Sequence, residues 1–246
     1  MIYFKIGKMQ ISTFIIHVSS NTQREKHIIQ QIKKSKLLYN YQFINEGDIK
    51  DINNNIHQQY FGGALDTINA ATSCAYKHIL AYEAVVSQNL DFALILEDDI
   101  FLQSNFDEII SAAIYELQNL QLNNYFISLE DSNLKYVAGK ELIDGKFLYK
   151  KDKGRLAGAY LVDNQTCQNM LEEIAKNKCN LTIDWFHNYC AQLNLLQIYW
   201  LHPTVAYQGS LTGSIPSLID DKKTGWKREL GYFVQKLYKK LLYKFR

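Results

Sequence analysis

Phe92-Ala93-Leu94-Ile95-Leu96-Glu97-Asp98-Asp99 joins five uninterrupted apolar residues to three consecutive acids. A short continuous apolar run is the pattern of a strand buried on both faces, as in a parallel sheet covered by helices. The carboxylates cannot follow it into that core, because burying unpaired charge is costly. They therefore mark where the strand leaves the sheet, the edge at which open α/β sheets bind ligands. Adjacent carboxylates repel one another unless a cation holds them, and hard oxygen ligands suit Mg²⁺ or Mn²⁺. An acidic strand-to-helix turn, with Asp107 and Glu108 adding charge at the next helix, is the alternative reading of the same residues.

The flanking sequence supports an α/β protein. Ile11 to Val18 is rich in β-branched residues and reads as the first strand, followed by capping residues at Ser19 to Thr22 and a helix over Gln23 to Lys36. No glycine-rich phosphate loop lies in that turn, which excludes a P-loop or dinucleotide fingerprint there. Arg24 alone reads as a solvated helix start, with a nucleotide contact as the alternative. Residues 46–59 read as a polar loop. Thr67 to Ser87 has apolar residues at helical spacing. His78 on that helix is by its type more often a packed residue than a ligand.

Beyond the acids, Asn105 to Leu120 reads as a helix. Tyr125 to Leu129 reads as a second strand ending in acids, Glu130 and Asp131. Two such strands on one sheet edge concentrate negative charge and favour a shared cation. Residues 134–153 read as a β-hairpin turning at Asp144-Gly145. In the following strand, Gly158 and Ala159 permit close approach of a ligand or of another backbone. Asp184 stands beside Trp185, ahead of a helix expected from Tyr189. His202-Pro203 closes the last strand, and residues 209–214 read as a flexible loop.

Composition bounds the rest. The chain has 246 residues, 47% hydrophobic and 21% charged, as expected for one globular α/β domain with an appendage. Cys74, Cys167, Cys179 and Cys190 contain no CxxC pair and are expected as reduced thiols of a cytoplasmic protein. The net charge is +2, but residues 222–246 hold nine Lys or Arg against one acid, so residues 1–221 carry −6. Trp226 to Phe245 places apolar residues on one helical face with lysines beside it. A basic amphipathic helix of this kind reads as a binder of anionic membrane surfaces, with a C-terminal helix docked on the body as the alternative. The expected division is thus a catalytic domain over 1–221 and a membrane-associating tail over 222–246.

The ordered set of motifs resembles glycosyltransferase family 25, the bacterial lipooligosaccharide glycosyltransferases. It comprises Phe14 to Lys26, Ala70 to His78, Leu94 to Asp99, Leu156 to Tyr160, Ile183-Asp184, and His202-Pro203 with Gln208. One departure is Ser73-Cys74 with Lys77-His78, where the family has Gly-Cys and Ser-His. The resemblance implies a GT-A type nucleotide-binding sandwich with a mixed, mostly parallel sheet. It also implies a nucleotide-sugar donor, usually UDP-galactose, a Mn²⁺ or Mg²⁺ ion, and inverting transfer of the hexose onto a saccharide hydroxyl. The expected metal residues are Asp99, Glu97 and His202. The expected donor-binding residues are Glu97, Asp98, Arg24, His78 and Gly158. Asp184 is the first candidate for the base, Glu130 and Asp131 compete for that role, and Trp185 is expected to stack on the acceptor sugar. The expected partners are the donor, a lipid-linked oligosaccharide and an anionic membrane surface, with no nucleic acid. The expected location is the cytoplasmic face of the inner membrane. A metal-dependent phosphotransferase or nuclease, or an inactive nucleotide-sugar-binding module, is the alternative reading.

Overall fold

The structure, a computed structural model, describes residues 11–132 and 135–216, with Leu218, Val234 and Tyr238. The chain opens with strand β1 (Thr13–Ile16), helix α1 (Thr22–Ile32) and strand β2 (Tyr41–Ile44). Helices α2 (Asn54–Tyr60) and α3 (Ala70–Ser87) lead to β3 (Phe92–Glu97). Then come β4 (Ile100–Leu102), α4 (Phe106–Asn119), β5 (Tyr125–Ser128), β6 (Leu148–Lys151) and β7 (Ala159–Asp163). Helices α5 (Asn164–Asn177) and α6 (Ile183–Gln192), strands β8 (Gln197–Leu201) and β9 (Ala206–Gln208), and the short α7 (Gly209–Thr212) complete the order.

Seven strands form one sheet in the order β2-β1-β3-β7-β5-β8-β6. The β1–β2, β1–β3 and β5–β8 pairs are parallel, and β7 and β6 run against their neighbours. Five strands thus share one direction, the mixed but mostly parallel arrangement expected from the sequence. The continuous apolar run of β3 follows from this placement. Ala93 and Ile95 face a core shared with α3, α5 and α6, whereas Leu94 and Leu96 face a second core with α1 and α4. All four are fully buried. Each of the larger side chains contributes about 1.5–3 kcal/mol by leaving water.

Several local expectations are corrected. Residues 46–59 are not a plain loop, because the Asn53 side chain accepts the Ile56 N–H at 3.0 Å and starts α2. Its asparagines act as a cap, a role their short side chains fill as readily as a turn. Residues 134–153 do not form a hairpin. Among the described residues there, β6 is the one strand, after a 3-10 turn at Gly139–Glu141, and it adds to the sheet edge by pairing with β8. Helix α6 begins at Ile183 rather than Tyr189, so Asp184 lies in its first turn. The loop expected at 209–214 contains α7, closed by Gly213 at φ +83°.

All four cysteines are free. Among the described residues no helix is long and apolar enough to cross a membrane. The basic amphipathic segment expected over residues 222–246 lies outside the described residues, apart from Val234 and Tyr238.

Candidate active site

Strand order places the site. The chain passes from β1 to β2 on one side and then returns through α3 to β3 on the other side of β1. The carboxyl ends of β1 and β3 therefore flank a topological switch point, where open α/β sheets form a ligand crevice. Parallel pairing sets Ile16 opposite Glu97, so both strands end at one level. A cavity of about 450 Å³ opens there, lined by residues that include His17, Arg24, Asp48, Cys74, Lys77, Glu97, Asp98, Asp99 and Ser210.

The three acids have different environments. Asp98 is buried and neutralised: its Oδ1 accepts from Arg24 Nη1 at 2.6 Å and its Oδ2 faces His17 Nδ1 at 2.8 Å. Arg24 also donates to the Pro216 carbonyl at 2.6 Å. It is thus a buried wall residue fixed by Asp98, and the solvated helix start is corrected. Its backbone N–H is capped by Asn21.

Asp99 is 2% exposed, and its Oδ2 accepts the Ser210 N–H at 3.1 Å. Its Oδ1 is buried with no hydrogen-bond partner. Burial, reinforced by the Glu97 charge, pushes the Asp99 carboxyl up to about 6. Glu97 is more open. One of its oxygens accepts from Gln208 Nε2 at 3.2 Å, and the other stands 3.6 Å from His78 Nε2.

Two short strands complete this wall. β4 leaves directly from the acids and pairs antiparallel with β9, setting Ile100 opposite Gln208. The pairing carries Gln208, Gly209 and Ser210 back over β3. Gly158 has a structural consequence here. A Cβ on it would lie 2.2 Å from Gln208 Nε2, so the close approach it permits is made by a side chain of this protein. The Gly158 carbonyl meanwhile accepts the Glu97 N–H at 2.7 Å.

The opposite wall includes residues that sequence reasoning passed over. Lys77 is 1% exposed, pairs with Asp48 at 3.0 Å and donates to the carbonyls of Ile44, Asn45 and Glu46. Ser19 donates to the same aspartate. Lys77 therefore ties α3 to the segment after β2. Helical spacing gave the signal, since Ser73, Cys74 and Lys77 share the face of α3 that meets the cavity. His78 points instead into the core, where its Nδ1 meets Tyr160 Oη at 2.7 Å.

The remaining candidates lie elsewhere. Glu130 is fully buried and its Oε1 accepts the Ala159 N–H at 2.8 Å. Burial and the Glu97 charge push it well above the ordinary glutamate range. A fully enclosed carboxyl cannot meet an acceptor, so its candidacy as base is corrected. The Asp131 N–H is bonded to the Ala206 carbonyl, and its carboxylate caps the Ser132 N–H.

Asp184 is half-buried, accepts from the Thr182 hydroxyl at 2.8 Å and precedes Trp185, which is 56% exposed. Neither Asp184 nor Trp185 is among the residues that line the cavity. Burial, reinforced by the charges of Glu97, Asp98 and Asp184, pushes the Cys74 thiol up. His202 follows β8, three strand positions from β3. That is about 14 Å by strand spacing. Its ring meets Tyr149 edge-on. Among the described residues Asp99, Glu97 and His202 form no common ligand set. The expectation of His202 as a metal ligand is corrected by the sheet order.

The fold and site thus define an open α/β protein with an acid-lined ligand crevice at its switch point. The chain belongs to glycosyltransferase family 25 (LPS biosynthesis protein), whose pattern it matches over residues 10–187. It is a glycosyltransferase of lipopolysaccharide biosynthesis and so works with a nucleotide-sugar donor and a glycan acceptor. Comparison with curated proteins gives no match. Among solved structures, it is similar to the UTP-bound UGPase from Acinetobacter baumannii at 8% identity and a TM-score of 0.44, over 94% of this chain and 93% of that one.

Proposed function

We propose that the protein is a GT-A type, divalent-cation-dependent transferase that moves galactose from UDP-galactose, with inversion, onto a saccharide hydroxyl of a lipid-linked oligosaccharide. The observation that carries this reading is the orphaned Asp99 Oδ1 inside the acid-lined cavity. A buried carboxylate oxygen without a partner, crowded by two further acids, fits a hard cation such as Mn²⁺ or Mg²⁺. Asp99 would hold that ion, with Glu97 beside it. The ion supplies charge neutralisation for the departing nucleoside diphosphate.

The protein's own residues do the rest. Arg24 cancels the Asp98 charge, so the anionic donor enters a wall that is less negative than its sequence suggests. The Lys77–Asp48 pair fixes the far wall against which the donor lies. Inversion needs a base on the face of the sugar opposite the leaving group. Asp184 takes that role, oriented by its bond from the Thr182 hydroxyl. Exposed Trp185 presents a stacking face to the acceptor sugar. Residues 222–246, outside the described region, hold the enzyme at the cytoplasmic membrane surface, where the acceptor lies.

The test is to incubate the full chain with Mn²⁺, a panel of nucleotide sugars and saccharide acceptors, and to read the product anomer by NMR. UDP-galactose turnover giving a β-linked product is expected. Absence of both donor binding and donor hydrolysis across the panel would remove the transferase reading, and an α-linked product would remove inversion. Asp99→Asn should abolish cation-dependent turnover in a folded protein. Deleting residues 226–246 should release the enzyme from anionic vesicles, and unchanged co-sedimentation would overturn the anchor.

A further inference from the structure

Behind the acid-lined wall, Cys74, His78 and Glu97 bring one donor atom each within 4.8 Å of one another. Residues 74 and 78 are one helical turn apart on α3, and Glu97 meets them from the end of β3. His78 is fully buried, and its Nε2 has no hydrogen-bond partner. Glu97 Oε1 stands 3.6 Å from that nitrogen and 3.9 Å from Cys74 Sγ.

These separations are close to the edges of a tetrahedral metal site. With Zn–N about 2.0 Å, Zn–O about 2.1 Å and Zn–S about 2.3 Å, neighbouring ligand atoms lie about 3.4 Å (N to O) and about 3.6 Å (S to O) apart. The two separations from Glu97 Oε1 need to close by only about 0.2–0.3 Å, and the Cys74 and His78 donor atoms lie within 4.8 Å of each other. Cys74 and Glu97 also line the cavity, so an ion held by them has a route from solvent.

The core around His78 prepares it for this role. His78 Nδ1 meets Tyr160 Oη at 2.7 Å, Tyr160 Oη meets Tyr82 Oη at 2.9 Å, and Tyr82 Oη meets His187 Nε2 at 2.7 Å. The chain is satisfied in either direction, and metal binding selects one of the two. In the selected one, His78 Nδ1–H donates to Tyr160, Tyr160 donates to Tyr82, and Tyr82 donates to the His187 nitrogen. In that direction the Nε2 lone pair of His78 points at Cys74 and Glu97. A ring N–H bonded on its far side is the arrangement that fixes the tautomer and orientation of metal-binding histidines.

We propose that Cys74, His78 and Glu97 Oε1 bind a thiophilic, borderline divalent cation of the Zn²⁺ type, at a site adjacent to, and centred apart from, the hard-cation site read at Asp99. Thiolate and imidazole select such an ion over Mg²⁺ or Mn²⁺. Cys74 binds as the thiolate and its proton passes to solvent, so no oxidant or further reactant is involved.

The test is optical titration of the purified full chain with Co²⁺, a coloured stand-in for Zn²⁺. A thiolate-to-cobalt charge-transfer band saturating at one equivalent, and bleached by one equivalent of Zn²⁺, is expected. Cys74→Ser should remove the band, and Tyr160→Phe, acting through His78, should weaken Co²⁺ binding about tenfold while keeping the band. Asp99→Asn should keep both band and affinity, which separates this site from the one proposed for the donor's cation. Absence of the band in the native chain would overturn the proposal. So would its survival in Cys74→Ser, which would assign it to Cys167, Cys179 or Cys190, or its loss in Asp99→Asn.

Discussion

Gly158→Ala tests whether the cavity wall is built as the structure describes it. The backbone at Gly158 has no left-handed φ, so alanine fits the main chain without strain. Its Cβ, however, would lie 2.2 Å from Gln208 Nε2 and 2.9 Å from both Cδ and Cγ, where ordinary contact begins at 3.4 Å. The amide must therefore retreat by more than about 1 Å, and its 3.2 Å bond to Glu97 cannot survive that shift. A hydrogen bond to a charged group contributes about 1.5–3 kcal/mol, and overpacking costs about 1–3 kcal/mol. Because the displaced group is the end of a flexible side chain, the lower ends apply, and Gly158→Ala should cost about 2 kcal/mol. In a Gln208→Ala background both causes vanish. What remains is the reduced freedom of the unfolded chain, which favours alanine by about 0.5 kcal/mol. Urea denaturation of the four proteins closes a double-mutant cycle, with an expected coupling of about 2.5 kcal/mol. An equal cost of Gly158→Ala in both backgrounds would refute the contact and the role given to β9.

Three further substitutions probe the charges around the cavity. Against the burial that raises it, the Ser19 hydroxyl and the Lys77 ammonium hold the Asp48 carboxyl below its ordinary value. That stability is present above the unfolded carboxylate's value and is lost as pH falls through the folded one. Lys77→Met should remove it and cost about 3 kcal/mol by stranding Asp48; an unchanged urea midpoint would refute the pairing. Burial and then the Glu97 charge raise the Glu130 carboxyl well above its ordinary range, whereas in the unfolded chain it titrates at about pH 4.3. Native stability should therefore fall as pH rises, by up to about 1.4 kcal/mol per unit, and Glu130→Gln should remove that slope while keeping donor turnover. Parallel stability profiles for the two proteins, or an inactive Glu130→Gln, would overturn the assignment. Asp184→Asn should lower kcat by about 10²–10⁴ with donor binding unchanged, and a smaller loss would remove Asp184 as the base.

What the sequence disclosed depended on how local each signal was. The run from Phe92 to Leu96 was legible because burial on both faces forces every position to be apolar, and the three acids had to fall where that burial ends. The position of the crevice followed, since strand ends and sheet order obey a general rule. The roles within the acid triplet were not legible. Asp98 is spoken for by Arg24 and His17, 74 and 81 residues away in the chain, whereas Asp99 keeps an unpartnered oxygen. That division is a property of tertiary pairing, and adjacent identical residues carry no local trace of it. Glu130 misled for the same reason. It ends a strand as Glu97 does, but the β4–β9 pair and the bridge from Glu130 to Ala206 close over it and turn a surface acid into a buried one. His78 shows the converse. A lone histidine on an apolar helix face is usually a packed residue, and this one is packed. Its packing through Tyr160 also leaves Nε2 turned towards Cys74 and Glu97, so the structural reading of this side chain is compatible with the ligand role proposed above.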